Sequence, residues 1–201
     1  VSFTPDGRRL VVSIKDGPDP VLAPGTQPTG PGRILVFGVG VDGRPSTRYT
    51  RTDFAHRGPF GFSFDGKGNL LVALFVGGGV EPVNGASTIT GAAGSYRINR
   101  DGSLSPITAA ERDHQVDTCW LVTNGRYAYG SNYTSGTVSS FVVGADGSLR
   151  LLEAVAGTTE PTGSVQGSTP LDERVSPDGR DLYVVLPGAG GTSTSGSHRR
   201  C

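Results

Sequence analysis

One pair of turns recurs along this chain and limits what it can fold into. The first turn reads Pro5-Asp6-Gly7, Asp65-Gly66, Asn124-Gly125 and Pro177-Asp178-Gly179, with its glycines spaced by 59, 59 and 54 residues. A short apolar run follows each time: Leu10-Val11-Val12, Leu70-Leu71-Val72, Tyr127-Ala128-Tyr129 and Leu182-Tyr183-Val184. The second turn recurs as Asp42-Gly43, Asp101-Gly102 and Asp146-Gly147. Glycine tolerates the positive φ that tight hairpins need, and β-branched or aromatic runs between such turns read as antiparallel strands.

Residues 118–155 hold one complete unit, TCWLVTNGRYAYGSNYTSGTVSSFVVGADGSLRLLEAV, with strands expected over 119–122, 127–131, 137–143 and 148–155. Four strands in about 40 residues is the size of one β-propeller blade. The fold class is therefore all-β, a β-propeller of four-stranded antiparallel blades, about three and a half of them. The blades fall at about 1–52, 59–109, 118–155 and 172–187. The first two carry insertions between second and third strands, DGPDPVLAPGTQPTGPGR and GGGVEPVNGASTITGAAG. The fourth stops after two strands, and PGAGGTSTSGSHRRC has no strand pattern, so residues 188–201 read as a disordered Ser/Gly-rich tail.

Glycine and proline, 32 and 14 of 201 residues, concentrate in the turns and in three loops, as an all-β chain requires. Eighteen basic residues balance eighteen acidic ones. No basic stripe points to nucleic acid and no polybasic face to a membrane. No run approaches the roughly 18 apolar residues of a spanning helix. Val1 opens directly inside a strand, which leads us to expect an internal piece of a longer chain or a truncated product. The compartment, cytoplasmic or exported, is not written in these residues. Cys119 falls in an inner strand as a small buried hydrophobe, and Cys201 is the last residue.

Several short motifs fail on context. Gly38-Val39-Gly40-Val41-Asp42-Gly43 fits GxGxxG, but a strand follows where dinucleotide binding requires a helix, so it reads as a hairpin. Asn132-Tyr133-Thr134 is a glycosylation sequon of a kind frequent by chance. No serine sits in a GxSxG elbow, no His/Cys spacing suits zinc, and no acidic loop suits calcium. Neither a cofactor nor a metal is expected.

The runs PDGRRLVVS, PDGRDLYVV and NGRYAYGSNYTSGTVSSFVVGADGSLRLL resemble the bacterial lactonase family of seven-bladed propellers, typified by the propeller type of 6-phosphogluconolactonase. The resemblance extends to about residue 187 and implies that roughly half of a seven-bladed ring is present. It implies a carboxylic-ester hydrolase of carbohydrate metabolism, acting on a small sugar lactone such as 6-phosphogluconolactone, here as an incomplete or inactive fragment. Typical members open the first strand of a blade with Pro-His or His-His. Here Pro59-Phe60, Thr118-Cys119 and Leu171-Asp172 stand instead. The alternative is a non-catalytic propeller that binds a ligand or protein on its loop face.

In a propeller the two tight turns share one face, leaving it little room for a site. The longer connections share the other, and loops on a rigid scaffold are where sites concentrate. Those connections read RTDFAHRGPF, AAERDHQVDTCW and STPLDERVS. Lactone hydrolysis needs a base to activate water and donors for the oxyanion, and a phosphorylated substrate favours arginine. His114 and His56 are the candidate bases, with Asp113 as the partner of His114. Arg57, Arg112 and Arg174 are candidate anion-binding residues, and Trp120 either packs in the core or stacks on a ligand in the channel. The end blades each lack a neighbour, so self-association through the open flanks is also expected.

Overall fold

The computed structural model describes residues 1–15, 32–55, 57–75, 82–83, 86–87, 91–159, 169–187 and 193–199. Every element among them is a strand. In chain order these are β1 (Ser2–Phe3), β2 (Arg9–Ile14), β3 (Gly32–Val39), β4 (Pro45–Phe54), β5 (Gly58–Phe64), β6 (Leu70–Phe75), β7 (Pro82–Val83), β8 (Ala86–Ser87) and β9 (Ala92–Ile98). They continue as β10 (Leu104–Arg112), β11 (Thr118–Thr123), β12 (Tyr127–Asn132), β13 (Thr137–Val143), β14 (Leu149–Thr158), β15 (Glu173–Val175), β16 (Asp181–Pro187) and β17 (Ser193–Arg199). Blade 1 is the sheet β1-β2-β3-β4, blade 2 is β5-β6-β9-β10, blade 3 is β11-β12-β13-β14 and blade 4 is β15-β16-β17. The short hairpin β7-β8 branches from blade 2 between its second and third strands.

The recurring turns set this architecture. In the inner turn of each blade, between first and second strands, one side chain accepts a backbone N–H two residues on. Asp6 takes Arg8, Asp65 takes Lys67, Asn124 takes Arg126 and Asp178 takes Arg180, at 2.8–3.2 Å. Gly7, Gly125 and Gly179 hold the positive φ there, while blade 2 moves it from Gly66 to Gly68. The outer turns, between third and fourth strands, repeat the device with Asp42, Asp101 and Asp146, followed by Gly43, Gly102 and Gly147. The GxGxxG stretch is accordingly the β3-β4 hairpin, closed by Gly43 N–H on the Gly40 carbonyl at 2.9 Å.

The blades stack through alternate residues of their strands. Successive side chains of a strand point to opposite faces, so β6 sends Leu70, Val72 and Leu74 toward blade 1 and Leu71 and Ala73 toward blade 3. All five are fully buried, which explains why this strand reads as an unbroken apolar run. Val11, Ile34, Val36 and Phe54 meet the first set. Leu121, Ala128, Phe141 and Leu149 meet the second. Val138 of blade 3 packs with Val184 and Leu186 of blade 4.

Polar contacts cross the same seams. Ser13 Oγ donates to the Phe60 carbonyl at 2.7 Å, and Ser131 Oγ to the Leu171 carbonyl at 3.3 Å. Arg9 Nη2 donates to the Arg100 carbonyl and Lys67 Nζ to the Ala145 carbonyl. In both, a cation at an inner turn grips the residue preceding the outer Asp-Gly of the next blade. Thr50 Oγ1 donates to the Gly102 carbonyl at 2.6 Å.

Blade 4 departs from the sequence expectation. Residues 188–201 were read as a disordered tail after a two-stranded remnant, yet Ser193–Arg199 pairs antiparallel with β16, from Asp181 opposite Arg199 to Pro187 opposite Ser193. The free edge of β16 presents unpaired N–H and C=O groups, and a ladder satisfies them whatever side chains the partner carries. Side-chain periodicity therefore gave no sign of it.

Leu71→Ala should lower the unfolding free energy by about 2–5 kcal/mol, because its cavity opens between two blades at once. Val41→Ala, at the tip of an outer turn where the side chain is wholly exposed, should stay within about 0.5 kcal/mol. Urea denaturation of the two variants beside wild type measures both.

Candidate functional site

The connection from β10 to β11 carries most of the sequence candidates. Gly91 and Gln115 pin it, with Gly91 N–H on the Gln115 carbonyl at 2.7 Å and Asp113 N–H on the Gly91 carbonyl at 3.2 Å. His114 and Asp117 both adopt left-handed backbone, φ 61° and 62°, a conformation uncommon outside glycine and found where the surroundings enforce it. The turn between β12 and β13 supplies that support. Tyr133 N–H donates to the Asp117 carbonyl at 2.9 Å, Thr134 Oγ1 donates to the Asp117 carboxylate, and Val116 N–H donates to Ser135 Oγ at 2.8 Å. The two classes of loop assigned to one face thus meet there.

Behind the loop, Asp113 enters a buried polar circuit. Thr118 Oγ1 lies in hydrogen-bonding contact with Asp113 Oδ2 and is 3.0 Å from Asn132 Oδ1. Asn132 Nδ2 donates to Thr137 Oγ1 at 3.1 Å and to Ser139 Oγ at 2.8 Å. Thr137 Oγ1 donates to Gln115 Oε1 at 2.9 Å, and Gln115 N–H returns to Asp113 Oδ1 at 2.9 Å. Asp113, Thr118, Asn132 and Ser139 are fully buried.

The proton count of this circuit bears on Asp113. A threonine hydroxyl has one hydrogen, and Thr118 faces two oxygens that accept when Asp113 is ionised. If Asp113 is protonated, it donates to Thr118 and Thr118 donates to Asn132, so every member is satisfied. Burial acts in the same direction, raising the Asp113 carboxyl above its ordinary value near 3.8 against the bonds from Thr118 and Gln115. Asp113 is therefore a buried structural acid at the root of the loop, and burial favours its neutral form.

The other candidates disperse. The His114 imidazole is exposed, and both oxygens of Asp113 are engaged by Gln115 and Thr118. Arg112 is exposed at the end of β10. Arg57 is partly buried beside Tyr96, whose phenol burial pushes up to about 12 while the Arg57 charge pulls it down. Arg174 is exposed on β15, opposite Tyr183. His56 lies outside the described residues. Trp120 stands edge-on to Phe60 at 6.0 Å and covers Gly61, where any β-carbon would strike the indole. Lys15 Nζ lies 4.0 Å from the Phe75 ring centroid and 5.4 Å from that of Phe60. The Cys119 thiol is pushed up to about 11, by burial first and then by the Asp117 charge, which removes it as a nucleophile near neutrality.

Three features went unread in the sequence. Thr118, Asn132 and Gln115 complete the circuit, and the one signal for them was polar residues at inward strand positions. The Asn132 sequon is spent inside the blade, its amide donating to Thr137 and Ser139. Glu173 of β15 is buried, and neither carboxyl oxygen has a hydrogen-bond partner among the described residues. Burial drives its acid well above the ordinary 4.5, with the nearby Ser131 N–H offsetting part of this.

Two clefts among the described residues lie on the turn face, where the sequence left little room for one. A cleft of about 870 Å³ between blades 1 and 2 is lined by Arg8, Arg9, Arg44, Arg100, Asp6 and Asp42, among others. A smaller one of about 310 Å³ between blades 2 and 3 involves Lys67, Arg97 and Asp146. Each opens where an inner turn meets the outer turn of the next blade.

A family model for lactonases, described as 7-bladed beta-propellers, matches residues 83–190. Comparison with curated proteins gave no match. The periplasmic gluconolactonase PpgL of Pseudomonas aeruginosa is similar in structure, with a TM-score of 0.60 and 21% identity over 99% of this chain and 56% of that one. A candidate 6-phosphogluconolactonase of Bacteroides fragilis gives 0.56 and 18% over 94% and 48%. A functionally unknown protein of Desulfotomaculum acetoxidans gives 0.58 and 17% over 100% and 55%. The chain spans about half the length of these structures, and at such identity the likeness establishes the fold alone.

Asp113→Asn should cost little, because an amide can donate to Thr118 and accept from Gln115, whereas Asp113→Ala should lose about 1–3 kcal/mol by leaving buried partners unmet. A carboxyl whose folded-state pKa is raised contributes stability at low pH that is lost as pH climbs from its unfolded value toward the folded one. Asp113 should therefore contribute a loss of stability with rising pH above about 4, against the lowered carboxyls of Asp6, Asp101, Asp146 and Asp178, so wild type and Asp113→Asn should differ in slope in that sense. Denaturant melts across that window test both. A large loss in Asp113→Asn would show that Asp113 is ionised in the fold.

Proposed function

Because the chain belongs to the lactonase family of seven-bladed β-propellers, we propose that it is part of the scaffold of a carboxylic-ester hydrolase acting on a sugar lactone such as 6-phosphogluconolactone, with a catalytic pocket that these residues alone leave incomplete. The observation behind this is the state of the one candidate acid–base pair described. His114 projects to solvent, while the carboxyl of Asp113 is committed to Gln115 and Thr118. A general base must be held within hydrogen-bond reach of the proton it takes, and catalytic groups need placement to roughly half an ångström. An imidazole on a loop without its own carboxylate partner falls short of that.

Arg57 precedes the inner strand β5 of blade 2, Arg112 ends its outer strand β10, and Arg174 lies on the inner strand β15 of blade 4. Groups so placed converge only around a propeller axis. The relatives are about twice as long, so the groups that would face them belong to blades beyond this arc. A non-catalytic reading finds support in a different place, the arginine-lined cleft of the turn face, which suits an anionic ligand held by charge and bidentate hydrogen bonds.

The 201-residue chain should hydrolyse 6-phosphogluconolactone and related lactones no faster than buffer. A rate above background that disappears in His114→Ala, with the β circular-dichroism signal unchanged, would overturn this reading and make His114 the general base.

A further inference from the structure

We propose that the cleft between blades 1 and 2 on the turn face is a phosphate site that takes a small phosphate monoester. This assignment rests on the anion-binding reading of the same cleft and needs no lactonase activity. The two banks of the cleft belong to different blades. Blade 1 supplies Arg8 beside its inner turn and Arg44 beside its outer turn, and blade 2 supplies Arg100 just ahead of its own outer turn. Arg9 fixes one bank against the other. Its Nη2 donates to the Arg100 carbonyl, and its Nη1 lies so near Gly102 that a β-carbon there would stand 2.9 Å away. Thr50 Oγ1 adds a bond to the Gly102 carbonyl at 2.6 Å. The cleft is thus built by the seam itself.

Charge selects the ligand. The guanidinium groups of Arg8, Arg9, Arg44 and Arg100 face the carboxylates of Asp6 and Asp42, four positive charges against two negative ones. Both carboxylates are already engaged by their own turns. Asp6 Oδ1 accepts from Thr4 Oγ1 at 2.6 Å and from the Arg8 N–H at 3.1 Å, and Asp42 Oδ1 accepts from the Arg44 N–H at 3.1 Å. Arg44 Nε reaches Asp42 Oδ2 only at 3.8 Å, from a side chain 87% exposed, and such a pair is worth little. Arg8 and Arg100 have no ion pair among the described residues. A phosphate monoester brings about two negative charges near neutrality and three strong acceptor oxygens. Guanidinium forks match that group bidentately. A carboxylate brings half the charge the cleft can neutralise.

The floor of the cleft leaves room for the body of the ligand. Gly38 and Val39 of β3 and Ile98 of β9 line it together with the cations. A β-carbon at Gly38 would meet nothing nearer than Ser46 Oγ at 3.9 Å, so the glycine leaves bare backbone and open space. The GxGxxG stretch therefore contributes to an anion site without a helix, its glycine supplying the floor and the arginines the charge. At about 870 Å³ the cleft has the size of a small-molecule site. The neighbouring cleft between blades 2 and 3 is not built this way. It measures about 310 Å³, and Lys67 there is spent on the Ala145 carbonyl, which leaves Arg97 to set against Asp146.

Isothermal titration calorimetry on the 201-residue chain, in a chloride buffer of fixed ionic strength, tests this with glucose 6-phosphate, glucose and gluconate. Glucose 6-phosphate should bind at one site per chain and glucose should not bind, while gluconate should bind about tenfold more weakly or worse. Arg8→Gln and Arg100→Gln should each weaken glucose 6-phosphate by about tenfold. Arg97→Gln removes the same charge from the adjacent cleft and should change the affinity by less than about twofold. Affinity should climb from about pH 5 to about pH 7.5 as the phosphate loses its second proton, and no histidine lines the cleft to produce that change instead. Gluconate binding as well as the phosphate ester, or a flat pH profile, would overturn the phosphate assignment and leave a general anion site. An equal loss in Arg97→Gln, or no binding of any probe, would overturn the site itself. Arg8 and Arg100 hold no ion pair in the fold, so their variants should keep the wild-type circular dichroism. Arg44→Gln replaces either one that misfolds.

Discussion

The fold rests on one packing requirement, that a blade must bury both faces of its middle strands and can do so only against other blades. β6 shows the requirement in full, with Leu70 to Leu74 fully buried and shared alternately between two neighbours. A four-stranded sheet with two apolar faces is not a stable object by itself, and stacking converts that liability into a continuous core. The seams are then registered by directional bonds. Apolar contact fixes that blades stack but tolerates sliding, whereas a serine hydroxyl on one particular carbonyl does not. Ser13 on Phe60 and Ser131 on Leu171 occupy the same place in two different seams, as do the Arg9 and Lys67 latches.

Polar groups within the blades follow a different rule. The circuit through Asp113, Thr118, Asn132, Thr137 and Gln115 closes on itself, so burying it leaves no member unmet. It joins the end of one blade to the first three strands of the next and anchors the left-handed residues His114 and Asp117. Glu173 is the contrasting case, a buried acid at a position where blades 2 and 3 place Phe62 and Leu121. A lone buried carboxyl is tolerable only in its neutral form, and its raised pKa expresses that cost. The seam between blades 3 and 4 therefore carries a term that grows less favourable as pH rises.

What was legible in the sequence was whatever short-range chemistry determines. Asp-Gly and Asn-Gly turns encode their own hydrogen bonds and dihedrals, so the four-stranded antiparallel pattern and the β3-β4 hairpin could be read from them. Long-range consequences were hidden. Ser193–Arg199 pairs with β16 through a backbone ladder, which side-chain periodicity does not record. Asp113 looked like a partner for His114 because adjacency in sequence suggested adjacency of function. With the backbone left-handed at His114, the acid is buried in the polar circuit while the imidazole is exposed. The clefts of the turn face were missed for a related reason. Each turn is tight, but the gap between an inner turn and the outer turn of the next blade depends on how blades splay, which no local motif records.

The dispersal of the candidate residues has its origin in the blade itself. Each blade contributes one first strand to the inner wall, and the side chains that could meet a small ligand there arrive singly, as Trp120 does from blade 3 and Phe60 from blade 2. Between neighbours such groups touch edge to edge and pack as core, with Gly61 leaving the space that the indole fills. To converge on a ligand, they need counterparts from across the ring. Chemistry on this scaffold is thus a property of ring closure, set by the same seams that determine stability.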